Sequence, residues 1–260
     1  MVDGGDEDGW SRVAAGWAEL WGAFGEPVQR SIVEAAAIGP GTRVLDVGCG
    51  SGEFLQLLTA IGARAVGADP APRMVEGALT RNAEVVEAGA ESLPFADATF
   101  DVATAVNALQ FAEDTTEALH EMARVVGSDG HIVIANWAEG PLNDIDVVEG
   151  AVAAALDEEP HPDGPLRPAG GIEAALADAG LEVVASGVVA MPWVAGDEAT
   201  LVRGILLGED ASTMAELHDT IVAAATPFRD DAGGYTLQNA FRWGMARVTA
   251  ATGSAPRLTA

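Results

Sequence analysis

The chain has 260 residues, a formal net charge of −27 and 49% apolar residues, enough for one α/β domain with a sizeable core. All 13 basic residues are arginine, and no basic patch of the kind a nucleic-acid backbone needs is visible, so the acidity reads as a solvated surface. No apolar run approaches the roughly 18–20 residues of a membrane span, no secretory leader is read, and the single cysteine, Cys49, excludes an internal disulfide; the expectation is a cytoplasmic protein.

Residues 1–8 read as a loose acidic tail. Trp10, Val13, Ala14, Trp17, Leu20, Trp21 and Phe24 then recur at steps of three and four, the period of an amphipathic helix. Gly25-Glu26-Pro27 interrupts the pattern, a second helix follows from Val28 to Ile38, and Gly39-Pro40-Gly41 stops it. These segments, residues 9–38, form an N-terminal helical cover.

A buried strand, Arg43 to Val47, leads into Gly48-Cys49-Gly50-Ser51-Gly52, and a helix follows from Glu53 to about Ile61. Strand, glycine loop and helix form the entrance of a nucleotide-type site at the carboxyl edge of a parallel sheet. A dinucleotide fingerprint would read G-x-G-x-x-G; here the spacing is G-x-G-x-G, with Asp46 before the loop and Glu53 after it. Two acids around the loop oppose a pyrophosphate and suit a cationic or zwitterionic ligand. Strand 2 runs from Arg64 to Ala68 and ends at Asp69, close to the spacing of about 20 residues expected of a ribose-binding acid. A carboxylate has two acceptor oxygens for the two ribose hydroxyls; the alternative for Asp69 is the N-cap of the helix that begins at Pro70.

The D-x-G-x-G-x-G pattern of Asp46, Gly48, Gly50 and Gly52 resembles motif I of the class I S-adenosylmethionine (SAM) dependent methyltransferases. The segment Leu93-Pro94-Phe95-Ala96-Asp97-Ala98-Thr99-Phe100-Asp101 resembles the L-P-F-x-D-x-x-F-D signature of the type 11, UbiE-like branch. Glu121-Met122-Ala123-Arg124-Val125-Val126 with Gly130 resembles its E-x-x-R-V-L-x-P-G-G block, departing at Val126, Ser128 and Asp129. The resemblance covers roughly residues 30–137, and it implies a fold: a Rossmann-like, mostly parallel seven-stranded α/β sheet, its last strand antiparallel and helices on both faces. It also implies SAM as cofactor. The loop of Gly48, Cys49, Gly50 and Gly52, with Asp46, would hold the methionine end, Cys49 being a small packing residue. Asp69 would bind the ribose, Met74 would pack on the adenine, Pro70 would belong to the same cofactor site, and Glu91 or backbone groups near Ala90 would take the adenine amino group. Many members carry aspartate where this chain has Gly89. Asn107 and Ala108, after strand 4 (Val102 to Val106), would touch the methionine portion, and Gln110 and Phe111 the acceptor. Several relatives carry histidine at the Gln110 position, and glutamine cannot serve as a base. The cover helices would lie over the cofactor, with Trp17 and Trp21 either on the substrate wall or in plain core.

Past strand 5 (His131 to Trp137) the likeness weakens. The pattern gives helices over Asp144–Asp157 and Gly171–Ala179, a proline-rich loop between them, strand 6 over Leu181–Met191, two cap helices within residues 197–225, and a last strand from Gly234 to Val248 before a loose tail. One domain over residues 1–260, with its SAM-binding core at 42–137, is expected, and the acceptor pocket should lie between the tryptophan helix and the cap helices. The four histidines are scattered, so no metal site is read; His218 in the cap and His161 in the loop are the candidate bases. The reading is methyl transfer from SAM to a small neutral or cationic acceptor, a secondary metabolite first and a quinone-type lipid intermediate second. Its alternatives are a SAM-binding protein that transfers no methyl group and a nucleotide-dependent oxidoreductase.

Overall fold

The computed structural model describes residues 7–159 and 163–249. Of the tail expected over residues 1–8, Glu7 and Asp8 instead begin the first helix, and residues 1–6, His161 and the closing tail lie outside the described residues. Five strands, β1 (Arg43–Val47), β2 (Arg64–Asp69), β3 (Glu84–Glu87), β4 (Val102–Val106) and β5 (His131–Trp137), pair in parallel. After β6 (Glu182–Ala190) and two short strands, β7 (Trp193–Ala195) and β8 (Tyr235–Leu237), comes β9 (Ala240–Arg247). The central sheet has the order β3-β2-β1-β4-β5-β9-β6, and β9 runs antiparallel to both its neighbours. This is the seven-stranded, mostly parallel sheet that the resemblance implied.

The helices are α1 (Glu7–Leu20), α2 (Glu26–Ala35), α3 (Glu53–Ala60), α4 (Pro72–Thr80), α5 (Thr115–Val126), α6 (Ile145–Ala155), α7 (Gly171–Asp178), α8 (Glu198–Ile205) and α9 (Ala211–Ala225). β1 is buried from Val44 to Val47 because it has strands on both sides and helices on both faces. Val44 packs into a layer with Ile32 of α2, Leu58 of α3, Val148 of α6 and Ile221 of α9. Leu45 faces the opposite layer, with Leu119 and Met122 of α5 and Leu176 of α7. Asp114 caps α5, its side chain accepting from Thr116 N (2.9 Å) and Glu117 N (3.1 Å).

The two signature blocks downstream of the glycine loop fold into one knot. Arg124 donates to the carbonyls of Leu93 (2.9 Å) and Phe95 (2.8 Å) and pairs with Asp97 (2.9 Å) and Glu121 (2.6 Å). Glu121 accepts from Leu93 N (2.9 Å), and the guanidinium holds its carboxyl below the usual range. The motif residues thus fasten the segment before β4 to α5.

The single last strand expected over Gly234–Val248 is in fact two. β8 pairs with β7 in a separate ribbon, and the chain breaks at Gln238-Asn239 before β9. The break is stitched to the start of α6: Asp144 Oδ2 accepts from Gln238 N (2.7 Å), Asn239 Oδ1 from Ile145 N (3.1 Å) and Asn143 Oδ1 from Ala240 N (3.0 Å). Buried Asn143 and Asn239 take backbone bonds that a continuous ladder would have made.

Candidate active site

A cleft of about 270 Å³ opens at the carboxyl ends of β1 and β4, the point where the strand order reverses direction. Gly48 and Gly50 form part of its floor, and the loop glycines Gly48, Gly50 and Gly52 have φ of 70°, 53° and 89°, a left-handed region costly for other residues. Gly52, expected at the cofactor, instead packs on α4, where an added Cβ would stand 3.0 Å from the Ala78 methyl, and it does not line the cleft. A Cβ on Gly48 would stand 2.3 Å from the Ala108 methyl, whereas a Cβ on Gly50 would meet open space. The loop therefore packs against the β4 end at its first glycine and leaves room at its second.

Asp69 organises the loop from the end of β2. Its Oδ2 accepts from Gly50 N (2.8 Å) and its Oδ1 from Ala71 N (2.9 Å), so it stabilises both the loop and the start of α4. Each oxygen keeps a further acceptor position. Burial pushes its carboxyl up, against the pull of those two N–H groups.

Asp46 is buried beneath the loop, with Oδ1 accepting from Thr104 Oγ1 (2.7 Å). Burial raises its pKa to about 7, with Asp69 and Glu53 adding repulsion. Glu53 is tied down instead: its Oε1 accepts from Ser51 Oγ (2.7 Å) and pairs with Arg81 (3.0 Å). The two acids around the loop are thus unequal, one near neutrality and one paired. Cys49 packs beneath, its Sγ filling the space beside Gly67, and burial raises its thiol.

Helix α1 closes the cleft from above. Ala14 packs on Ala71 and Met74 of the α4 segment, and Trp10 meets Phe111 edge-on at 5.2 Å between ring centres. Pro70, Met74, Ala90, Glu91, Asn107, Ala108, Phe111, Trp17 and Trp21 all line the cleft. Glu91 is partly committed, its Oε1 accepting from Glu113 N (2.7 Å) ahead of α5. Trp21 is mainly core: it stacks on Trp193 at 4.5 Å and donates to the Gly204 carbonyl (3.2 Å). Trp17 is half-buried and more open to the cleft.

Some expected residues lie elsewhere. Gln110 turns back to donate to Asn107 Oδ1 (2.8 Å) and is not part of the lining. His218 sits on the outer side of α9 with 41% of its side chain exposed, beside Asp219 (3.0 Å) and Glu198 (3.9 Å). The cap helices do not line the cleft either. α8 braces the cover from behind, through the Gly204 carbonyl and an Arg203–Glu19 pair (2.9 Å). Stacking of Trp21 on Trp193 fills the space between them, so the expected pocket between cover and cap is solid core. The sequence reading missed Phe24, Gln29 and Phe241 as lining residues. A glutamine on the buried stripe Val28, Gln29 and Ile32 of α2 was the available signal.

Residues 45–134 match the family model described as a methyltransferase domain. That match spans about a third of the chain. A demethylmenaquinone methyltransferase of Mycobacterium sp. (strain KMS) is 36% identical over 110 residues, 42% of this chain and 48% of that protein. An uncharacterized protein of Mycobacterium tuberculosis (strain ATCC 25618 / H37Rv) is 36% identical over 117 residues, 43% of each chain. The chain thus spans about half the length, or less, of these curated relatives. In fold, a putative methyltransferase from Bacillus halodurans gives a TM-score of 0.60 at 16% identity, over 85% of this chain and 99% of that one. The cofactor of the methyltransferase domain is SAM, and the lining fits it: open space at Gly50, a carboxylate at the β2 end, and no arginine or histidine among the described lining residues. No described helix is long and apolar enough to cross a membrane.

Proposed function

We propose that the chain transfers the methyl group of SAM to a small-molecule acceptor of secondary metabolism. The observation that carries this reading is the cleft at the strand-order reversal, where the open space at Gly50 adjoins Asp69 and every titratable lining group but the Cys49 thiol is an acid. When bound, SAM supplies an activated methyl group, so the protein's task is chiefly positioning. The remaining lone pairs of Asp69 would accept from the ribose hydroxyls, and Asp46 would favour the ligand's positive charge. Met74 and the α1 cover would exclude water from the adenine end, with Gly89, Ala90 and Glu91 along its edge. Asn107 and Ala108 would hold the methionine portion, and Trp17 and Phe111 would shape the acceptor side.

A quinone-type acceptor is the second reading, favoured by the names of the demethylmenaquinone methyltransferase relatives. Incubation with SAM labelled on its methyl group and a panel of phenols, quinols and amines tests both. A product heavier by one methyl group, formed with S-adenosylhomocysteine, supports transfer. SAM binding with no methylated product from any panel member would count against it and favour the non-transferring alternative.

A further inference from the structure

One wall of the cleft has no part in the cofactor contacts proposed above. It comprises Phe24, Gln29 and Phe241, with Gly25 and Trp17 beside them. Gln29 is 8% exposed and lies on the buried stripe of α2. Its backbone N–H bonds to the Gly25 carbonyl (3.0 Å), but its side-chain amide has no hydrogen-bond partner among the described residues. A primary amide carries two donors and two lone pairs. The Gln29 amide atoms are not sealed off, unlike Gln110 Oε1 and Asn136 Oδ1, so they reach open space where a bound group can replace water as their partner. The amide is also given room: a Cβ on Gly25 would stand 2.8 Å from Gln29 Nε2. Gln29 also borders a neighbouring hollow, but its Nε2 lies on the Gly25 side, and Gly25 lines the cleft alone, so the cleft is where a partner would meet it.

The surroundings define that partner. Phe24 and Phe241 offer ring surface, and no arginine or histidine is among the described lining residues. An anion would be desolvated there without a counter-charge. In the neighbouring hollow that Gln29 also borders, Glu53 and Arg81 are paired with each other (3.0 Å), so neither charge is free for a ligand. A neutral amide pairs well with a neutral hydroxyl or carbonyl group, and the rings suit a flat apolar body. We propose that Gln29 is a specificity-determining residue for the acceptor, hydrogen-bonding a hydroxyl or carbonyl oxygen on a flat, uncharged compound. This rests on reading the cleft as the methyl-transfer site.

The test uses three probes: 2-naphthol, naphthalene, and naphthylmethylammonium. Each is titrated by ligand-observed NMR into the wild type, Gln29→Leu and Gly25→Ala, with and without S-adenosylhomocysteine. The wild type should prefer 2-naphthol over naphthalene about tenfold. Gln29→Leu should erase that preference by weakening 2-naphthol alone, and should bind S-adenosylhomocysteine as the wild type does. Gly25→Ala, which crowds the amide without removing it, should reduce the preference in the same direction. A preference that survives in Gln29→Leu, no preference in the wild type, or tightest binding of the ammonium probe would each overturn the proposal. Failure of S-adenosylhomocysteine to bind the wild type would instead defeat the cofactor reading, and the titrations without it would still decide the role of Gln29.

Discussion

Gly48 and Gly50 are two residues apart and share a positive φ, yet adding one methyl group to each should have different consequences. Alanine in the left-handed region costs about 1–2 kcal/mol. Replacing glycine also restricts the unfolded chain, which returns about 0.4–1 kcal/mol. At Gly50 nothing else is touched, so Gly50→Ala should lose only about 0–1.5 kcal/mol. At Gly48 the new Cβ would stand 2.3 Å from the Ala108 methyl, and overpacking of that kind adds about 1–3 kcal/mol. Gly48→Ala should therefore lose about 1–4.5 kcal/mol. Urea unfolding of the two variants, with equal m-values, measures the difference. Calorimetry then measures SAM affinity. Gly50→Ala should remain nearly as stable as the wild type but bind SAM at least about tenfold more weakly, because its methyl group enters the ligand's space. Equal destabilisation by both changes would refute the packing argument. Full SAM affinity in Gly50→Ala would remove the loop from the site.

Asp46 has a folded pKa of about 7, above its unfolded value near 3.8, so its contribution to stability is complete below about pH 4 and is lost as pH rises toward 7. The loss is up to about 4 kcal/mol, and the stability profile of Asp46→Asn should lack it; identical pH profiles for variant and wild type would contradict the assignment. A positively charged ligand favours the ionised form, so SAM affinity of the wild type should rise between pH 6 and 8, and a flat profile would separate Asp46 from the ligand. Trp21→Ala should cost about 3–5 kcal/mol of stability by emptying the stack on Trp193, whereas half-buried Trp17→Ala should chiefly weaken acceptor binding; a thermal melt and an acceptor titration on each variant test this. His218→Ala should leave turnover near the wild-type level, since the side chain lies outside the cleft; a loss of about 100-fold with folding intact would restore it as a base.

The glycine-loop side of the cleft was readable because its residues are contiguous in sequence. Gly48 to Gly52 and the strand-end acid Asp69 fall within one strand–helix–strand unit, where spacing alone sets geometry. The signature around Leu93 and the block around Arg124 were readable as patterns, but their physical link became visible only when the guanidinium was seen on the Leu93 and Phe95 carbonyls. The acceptor side depends on contacts between distant segments. Whether α8 covers the cleft or braces the cover turns on Trp193 stacking with Trp21, a pairing that no local period announces. The break after β8 was hidden for the same reason: it is made by Asn143 and Asp144, nearly a hundred residues earlier in the chain. Gln29 was passed over because helical periodicity was read from apolar residues, which counts a polar residue on the buried stripe as noise.

Titration of SAM into the wild type and Asp69→Ala by calorimetry tests the central claim most directly. The wild type should bind one SAM per chain, with NAD⁺ giving no signal. Asp69→Ala should lose two charge-assisted hydrogen bonds to the ligand as well as the tether on Gly50 N, about 2–4 kcal/mol or roughly 30- to 1,000-fold in affinity. Unchanged affinity in the variant, or preference of the wild type for NAD⁺, would contradict the account.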